Sequence, residues 1–395
     1  MEAFYRTHQH LVGHVQSPVK RLLMNEIDWS HRLIGIKGSR GVGKTTFLLQ
    51  YAKEYFGAND RSCLYINFNS FYFTTNTLVE FAERFYVQGG RTLLIDQTFK
   101  YENWSKELRE CYDRFPEMHI VFSGSTVMRL IEDNNDLKDV VASYNLRGFS
   151  FREFIYLQTG IEFPAYTLEE IISNHEQLAK DICSQVRPFD YFQDYLHHGF
   201  YPFFLEKRNF SENLLKTMNM MLEVDILLIK QIELKYLSKI RKLLYLLMTT
   251  APTAPNVSQL SNEIETSRAT IMNYIKYLQD ARLLNLLYTE GDVFPKKPNR
   301  IYVHNTNLMH AVSPAGVDKI AEQRTFLYNA LHSRHKVNMN MGTHQTDFII
   351  DQYYHFKCEP KLQYAKQNPK VIYAVDDIEV GIKNEVPLWL LGFLY

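Results

Sequence analysis

GSRGVGKTT, residues 38 to 46, is the stretch on which the reading of this 395-residue chain turns. Gly38, Gly43, Lys44 and Thr45 fit the spacing G-x-x-x-x-G-K-[ST]. RLIGIK, residues 32 to 37, precedes it as a short β-rich run. TTFLLQYAKEYF, residues 45 to 56, follows with helical spacing and puts Phe47, Leu48, Tyr51 and Tyr55 on one side. Strand, glycine loop, helix is an arrangement in which backbone N–H groups converge on phosphate oxygens, and the helix N-terminus adds partial positive charge. The plainer alternative is a glycine turn before an ordinary helix. The phosphate reading assigns Gly38, Ser39, Arg40, Gly41, Val42, Gly43, Lys44, Thr45 and Thr46 to nucleotide binding. Lys44 would reach the β- and γ-phosphates, and the Thr45 hydroxyl would ligand Mg²⁺.

A magnesium nucleotide also needs an acid near the metal. RTLLID, residues 91 to 96, reads as a strand buried on both faces with Asp96 at its carboxyl end, the edge where open α/β sheets take ligands. Asp96 would hold Mg²⁺ directly or through water. In a nucleotide hydrolase with such a strand, the next residue is usually a glutamate that activates water; here it is Gln97. An amide can orient water but takes no proton. A positioned base contributes roughly 10²–10⁴-fold, about 3–5 kcal/mol of barrier. Binding should therefore survive while turnover is slow, with Gln97 a weak water-positioning group. Glu102 and Glu107 could substitute only if their loop folded back. HIVFSGS, residues 119 to 125, predicts a third strand ending in Ser123 and Ser125. Ser125 is a candidate γ-phosphate sensor; a serine-rich turn explains it as well.

The bulk composition narrows the class. With 44 basic and 44 acidic residues the formal charge is +0, which argues against a protein coated in nucleic acid but not against a local basic face. Tyrosine and phenylalanine, 26 each, are spread evenly, as in folded domains rather than disordered ones. Cys63, Cys111, Cys183 and Cys358 are too dispersed for zinc spacing, and a reduced cytoplasmic setting is the simplest expectation. The first residues, MEAFYRTHQHLVGHVQ, lack the apolar core of a signal peptide. LLKTMNMMLEVDILLIK, residues 214 to 230, is broken by Glu223 and Asp225, so it reads as a buried helix and not a membrane span.

Beyond residue 155 the pattern becomes helical. TLEEIISNHEQLAKDICSQV opens with a capping box, Thr167 and Glu170. Residues 237 to 303 give three helices, packed through Ile240, Leu243, Leu244 and Leu247, then Leu260 and Ile264, then Ile271, Ile275 and Leu278. Ser267 is the expected cap of the third, and two strands follow around GDVFPKKPNR. That order is a winged helix-turn-helix. Arg268, Asn273 and Lys276, with Thr270 and Tyr277 beside them, are the candidate duplex DNA contacts on the third helix. Lys296, Lys297 and Arg300 would add the wing, while Glu263, Glu265 and Asp280 oppose it. A protein-docking or lid role stays equally open. Residues 306 to 395 read as α+β, with a helix carrying Glu322 and a hairpin turning near Asp351 and Gln352. LWLLGFLY at the end reads as a buried closing strand, and His197 and His198 as part of a loop without carboxylate company.

GIKGSRGVGKTTFLLQ (35 to 50), LLIDQTFKYENW (93 to 104), IVFSGSTVMRL (120 to 130), LRGFSFREFI (146 to 155), TDFIID (346 to 351) and AVDDIEVG…PLWLLGFLY (374 to 395) give the chain a family likeness. It resembles bacterial and archaeal AAA-type P-loop ATPases that carry a helical region, a winged helix and a C-terminal restriction-endonuclease-like segment. The resemblance implies an α/β P-loop NTPase core with a parallel sheet over 1–155, and a helical lid or linker over 156–236. It further implies a winged helix over 237–305 and a small α+β nuclease-like domain over 306–395. It favours ATP over GTP, with Mg²⁺, and leaves room for an oligomer. In such proteins a nuclease would need Asp347, a second acid and a lysine. Three departures point to lost catalysis on a retained architecture. Gln97 stands for glutamate. Lys138, Asp139 and Val140 stand where arginines are common. In FKCEPK, residues 356 to 361, Lys357 takes the acid's place, Glu359 is displaced by two residues, and Lys361 remains. The expected function is a nucleotide-gated conformational switch with slow or absent hydrolysis. The alternative is a winged-helix DNA-binding regulator whose nucleotide site is structural.

Overall fold

The computed structural model describes every residue except 127, 129–133, 207–208, 228–229, 314–315, 341–345 and 360–367. The chain divides into two compact units, Met1–Gly148 and Phe149–Tyr395.

In the first unit the apolar runs become β1 (Leu33–Gly38), β2 (Cys63–Asn67), β3 (Thr92–Asp96), β4 (His119–Ser125) and β5 (Ala142–Asn145). They form one parallel sheet in the order β2-β3-β4-β1-β5. Continuous apolar sequence is what a parallel sheet covered on both faces requires, and every residue of β3 is buried. Because all strands run the same way, the carboxyl ends of β1, β3 and β4 lie along one edge. Gly38 pairs with Ser125 there, and Asp96 with Asn67.

The helix Lys44–Tyr55 follows β1 and buries Phe47, Leu48, Tyr51 and Ala52. Tyr55, expected on that inward side, is 51% exposed. It lies in the last turn of the helix and packs against Tyr51, with ring centroids 4.8 Å apart and planes inclined by 36°. The edge strand β2 is covered by the helix Glu2–His14, where His8 Nδ1 accepts the Tyr65 backbone N–H at 3.0 Å. That contact occupies a donor that would otherwise sit open on a sheet edge.

The first compact unit runs to Gly148. Helix Phe151–Thr159, capped by a Ser150–Glu153 box, belongs to the second unit. Its Phe151, Phe154 and Ile155 share a core with Trp389, Leu391 and Phe393 from the far end of the chain. The expected lid, three-helix region and end domain all fall within this second unit. Within it lie the capped helix Leu168–Cys183, with its Thr167–Glu170 box, and the helices Leu237–Thr250, Val257–Ile264 and Arg268–Asp280. The antiparallel ribbon of β6 (Leu284–Leu287) and β7 (Arg300–Val303) comes next. Ser267 caps the third helix by accepting the Thr270 N–H, as its position predicts.

The remaining strands, β8 (Val337–Asn338), β9 (Phe348–Ile350), β10 (Tyr354–Glu359), β11 (Val371–Val375) and β12 (Glu385–Pro387), make a mixed sheet in the order β12-β11-β10-β9-β8. The terminal LWLLGFLY is not a strand. Leu388–Phe393 is a 3-10 helix with every residue buried. An all-apolar run carries no periodicity to separate helix from strand. Gly392 sits so close to Phe151 that an added Cβ would meet it at 2.5 Å. His197 and His198 lie in a π-helical turn, Tyr195–Gly199, and not in a loop. Residues 210 to 226 are helical as expected, an α-helix passing into a π-helical turn, Met221–Ile226, with Asp225 buried and Glu223 paired with Arg241. Among the described residues, no helix is long and apolar enough to cross a membrane.

Candidate functional site

The loop between β1 and its helix is built on glycine geometry. Gly41 and Gly43 have φ of 87° and 94°, values that side chains rarely adopt. A Cβ at Gly38 would lie 2.6 Å from the Leu146 carbonyl oxygen. Val42 is fully buried, and the Arg21 guanidinium donates to the carbonyls of Val42, Arg147 and Gly148 at 3.3, 2.7 and 2.9 Å. The loop is thus pinned from below. Lys44 Nζ donates to the carbonyls of Gly38 and Ser39 at 2.8 and 2.9 Å, so its ammonium lies across the mouth of the loop. The Arg40 guanidinium lies 5.8 Å from the Phe99 ring centroid.

Two segments that the sequence holds far apart meet here. Thr45 Oγ1 donates to Asp96 Oδ2 at 2.6 Å. Asp96 is 1% exposed and has three further donors. Tyr65 OH reaches Oδ2 at 2.9 Å, the Gln97 backbone N–H reaches Oδ1 at 2.9 Å, and the Ser123 hydroxyl donates to Oδ1. Each carboxylate oxygen thus accepts two hydrogen bonds. No cation stands against it in these contacts, so its negative charge is oriented by neutral groups. Burial, and then the neighbouring Asp96 charge, push the Tyr65 phenol up, which keeps it a donor.

Gln97 takes a left-handed backbone, φ 55° and ψ 43°, and its N–H also lies 3.1 Å from Ser123 Oγ. Ser123, on the same strand end as Ser125, supports the carboxylate. Ser125 is buried beside Gly38 at the strand end. Glu107 is committed elsewhere, accepting from Leu78 N–H and Tyr101 OH at 2.7 Å each, and Glu102 is exposed. Asp139 pairs with Arg109 at 2.9 Å on the surface, and Lys138 donates to Asn135 at 3.3 Å. Tyr65 is the residue that sequence reasoning missed. It stands inside an ordinary apolar strand, and only the pairing of β2 with β3 brings its hydroxyl to Asp96.

These residues fall inside a recognised domain: residues 30–155 match the family model described as an AAA domain. This stretch has an α/β P-loop NTPase fold and is similar to AAA domains. Residues 189–319 match a model described only as a domain of unknown function. An uncharacterized protein of Methanocaldococcus jannaschii is 27% identical over 280 residues, which are 67% of this chain and 58% of its own length. The chain therefore spans little more than half of that relative. Solved structures with some likeness include Caenorhabditis elegans PCH-2, at 14% identity and a TM-score of 0.24, covering 71% of this chain and 66% of that one. A DNA polymerase III gamma subunit-related protein from Thermotoga maritima gives 11% and 0.27, covering 70% and 97%. The Saccharomyces cerevisiae Hsp104–ADP complex gives 13% and 0.26, covering 84% and 54%.

Outside the AAA domain, the candidate DNA contacts are divided. Arg268 and Asn273 are exposed, and Arg268 and Lys297 line an open groove of about 540 Å³ with Asn256, Ser258 and Met272. Lys276 is partly buried and pairs with Asp280 at 2.9 Å, one helical turn on. Lys296 pairs with Asp292 at 2.8 Å. In the end domain, Asp347 stands 3.0 Å from Arg324 and accepts the Cys358 N–H at 2.8 Å. Glu322 turns away from it to His310. Lys357 pairs with Glu359, as their common strand face predicts. Lys361 and Pro360 lie outside the described residues.

Proposed function

We propose that this chain binds ATP with Mg²⁺ at residues 38–46 and uses it as a conformational switch, with hydrolysis slow or absent. The observation that carries the reading is the 2.6 Å contact between Thr45 Oγ1 and Asp96. A hydroxyl that gives its proton to a carboxylate keeps its lone pairs for a cation. Thr45 would therefore ligand Mg²⁺, and Asp96, whose oxygens already accept two bonds each, would act through Thr45 and metal-bound water. The backbone N–H groups of Ser39 to Thr46 and the Lys44 ammonium would take the phosphates. The bound cation would supply charge neutralisation on the β- and γ-phosphates. Gln97 follows Asp96 without a carboxylate, so it would orient water without taking its proton, and Ser125 at the neighbouring strand end would sense the γ-phosphate. The choice of ATP over GTP rests on the family resemblance, as does the idea that helical elements of residues 149–395 read out the nucleotide.

Isothermal titration of the full chain with ATP and Mg²⁺ tests the reading. Binding in the micromolar range, abolished in Lys44→Ala, is the expected outcome; no heat and no thermal protection at millimolar ATP would end it. The second reading is a winged-helix DNA-binding regulator with a structural nucleotide site. It draws on exposed Arg268 and Asn273 but loses Lys276 to Asp280. Salt-dependent duplex binding, lost in Arg268→Glu while ATP binding persists, would favour it.

A further inference from the structure

The π-helical turn Tyr195–Gly199, the helix Thr306–Val312 and the helix Lys319–Leu331 converge on three side chains: His197, His310 and Glu322. One ligand atom from each lies within 4.8 Å of the other two. The imidazoles of His197 and His310 face one another with ring centroids 3.7 Å apart and planes inclined by 24°. His310 Nε2 lies 2.5 Å from Glu322 Oε1. Glu322 is buried, at 7% exposure, whereas His197 is open to solvent.

Nothing in the nucleotide site uses these groups. A buried carboxylate ordinarily collects several donors. Among the described residues, the Glu322 carboxylate has the His310 ring as its hydrogen-bond partner. The cluster brings two imidazole nitrogens and one carboxylate oxygen within 4.8 Å of one another. π-Helical turns, which are rare, frequently mark functional sites, and this one swings His197 over the end of the neighbouring helix.

We propose that His197, His310 and Glu322 form a transition-metal site whose natural occupant is Zn²⁺. The donor set, two imidazoles and one carboxylate, suits zinc and excludes Mg²⁺ and Ca²⁺, which take oxygen ligands. A tetrahedral zinc places its ligand atoms about 3.3 Å apart, given metal–nitrogen distances of about 2.0–2.1 Å. Binding would open the His197–His310 stack as the two rings turn their nitrogens to the ion. The exposed side of His197 leaves the fourth position for water or an incoming ligand. The ion would tie three segments distant in sequence, replacing the His310–Glu322 hydrogen bond with a cross-link inside the second unit.

The test uses the full chain, freed of metal with a chelator and kept free of nucleotide, because ATP itself binds zinc. Titration with Zn²⁺ should show about one equivalent bound and a rise in melting temperature of about 5–10 °C at a hundredfold excess over Kd. Co²⁺ should give the visible absorption of a low-coordinate nitrogen and oxygen site. His197→Ala should lose both signals while melting like the metal-free parent, since its ring is exposed; Glu322→Gln should weaken them. His198→Ala, whose ring packs on Phe210, should keep both. The proposal is overturned if Zn²⁺ does not bind, or if it binds equally well to His197→Ala and Glu322→Gln, which would assign it to the cysteines or another surface group.

Discussion

Asp96 and Asp347 are both carboxylates at the ends of buried apolar strands, one in each compact unit, and both invite reading as metal ligands. Their surroundings separate them. Asp96 is held by Thr45, Tyr65, Ser123 and the Gln97 backbone, all neutral. Asp347 faces the guanidinium of Arg324 and caps the Cys358 N–H. Neutral donors orient a carboxylate and leave its charge for a cation still to come. A guanidinium cancels that charge and turns the residue into an internal tie. The contrast separates a carboxylate whose charge is oriented from one whose charge is already balanced.

The comparison can be broken most sharply at Lys44. Lys44→Ala removes the loop's ammonium donor, and ATP affinity should fall by about 10²-fold or more, since hydrogen bonds to charged groups are worth about 1.5–3 kcal/mol each. Calorimetry reads it, and an unchanged affinity would move the phosphates elsewhere. The next effect concerns turnover. Gln97→Glu restores a proton acceptor beside Asp96 and should raise single-turnover hydrolysis by about 10²-fold. No gain would show that the absent arginines around Asp139 and Val140 matter as much.

On the other side of the comparison, Asp347→Asn keeps an acceptor for Cys358 but leaves Arg324 without its counter-charge. Stability should drop by about 1–3 kcal/mol in denaturant unfolding, with ATP binding unaltered. A variant as stable as the parent would mean that Arg324 does not depend on the carboxylate.

The smallest effect sits on the far edge of the first sheet. Burial lowers the His8 pKa, with Asp60 opposing, and its Nδ1 must be unprotonated to accept the Tyr65 N–H. The folded state binds this proton less readily than the unfolded state. The contribution is therefore present above the ordinary histidine value of about 6.5 and fades as pH falls through it towards the lowered folded value. Melting temperatures between pH 7.5 and 5 should fall less steeply in His8→Ala than in the parent. Parallel slopes would assign the acid sensitivity to other groups.

Much of the proposed nucleotide site was legible because it is local. The loop, its strand and its helix occupy contiguous residues, and a glycine spacing encodes backbone geometry directly. Asp96 was legible as a polar end to an apolar strand, and Ser267 and Thr167 as caps, for the same reason. Tyr65 was not, since nothing within its own strand distinguishes it from a core tyrosine. Asp280 is legible as an acid near Lys276, but that the two pair directly is not.

What the sequence determined by itself was a parallel-sheet phosphate loop followed by a helical and an α+β region, because short-range periodicity and steric preference suffice for those. Only the tertiary structure decided where the first unit ends, that LWLLGFLY coils rather than extends, which cation or donor each carboxylate meets, and that His197 keeps company with His310 and Glu322. Each of those depends on packing between segments up to hundreds of residues apart, and contacts of that range leave no spacing in the chain to be read.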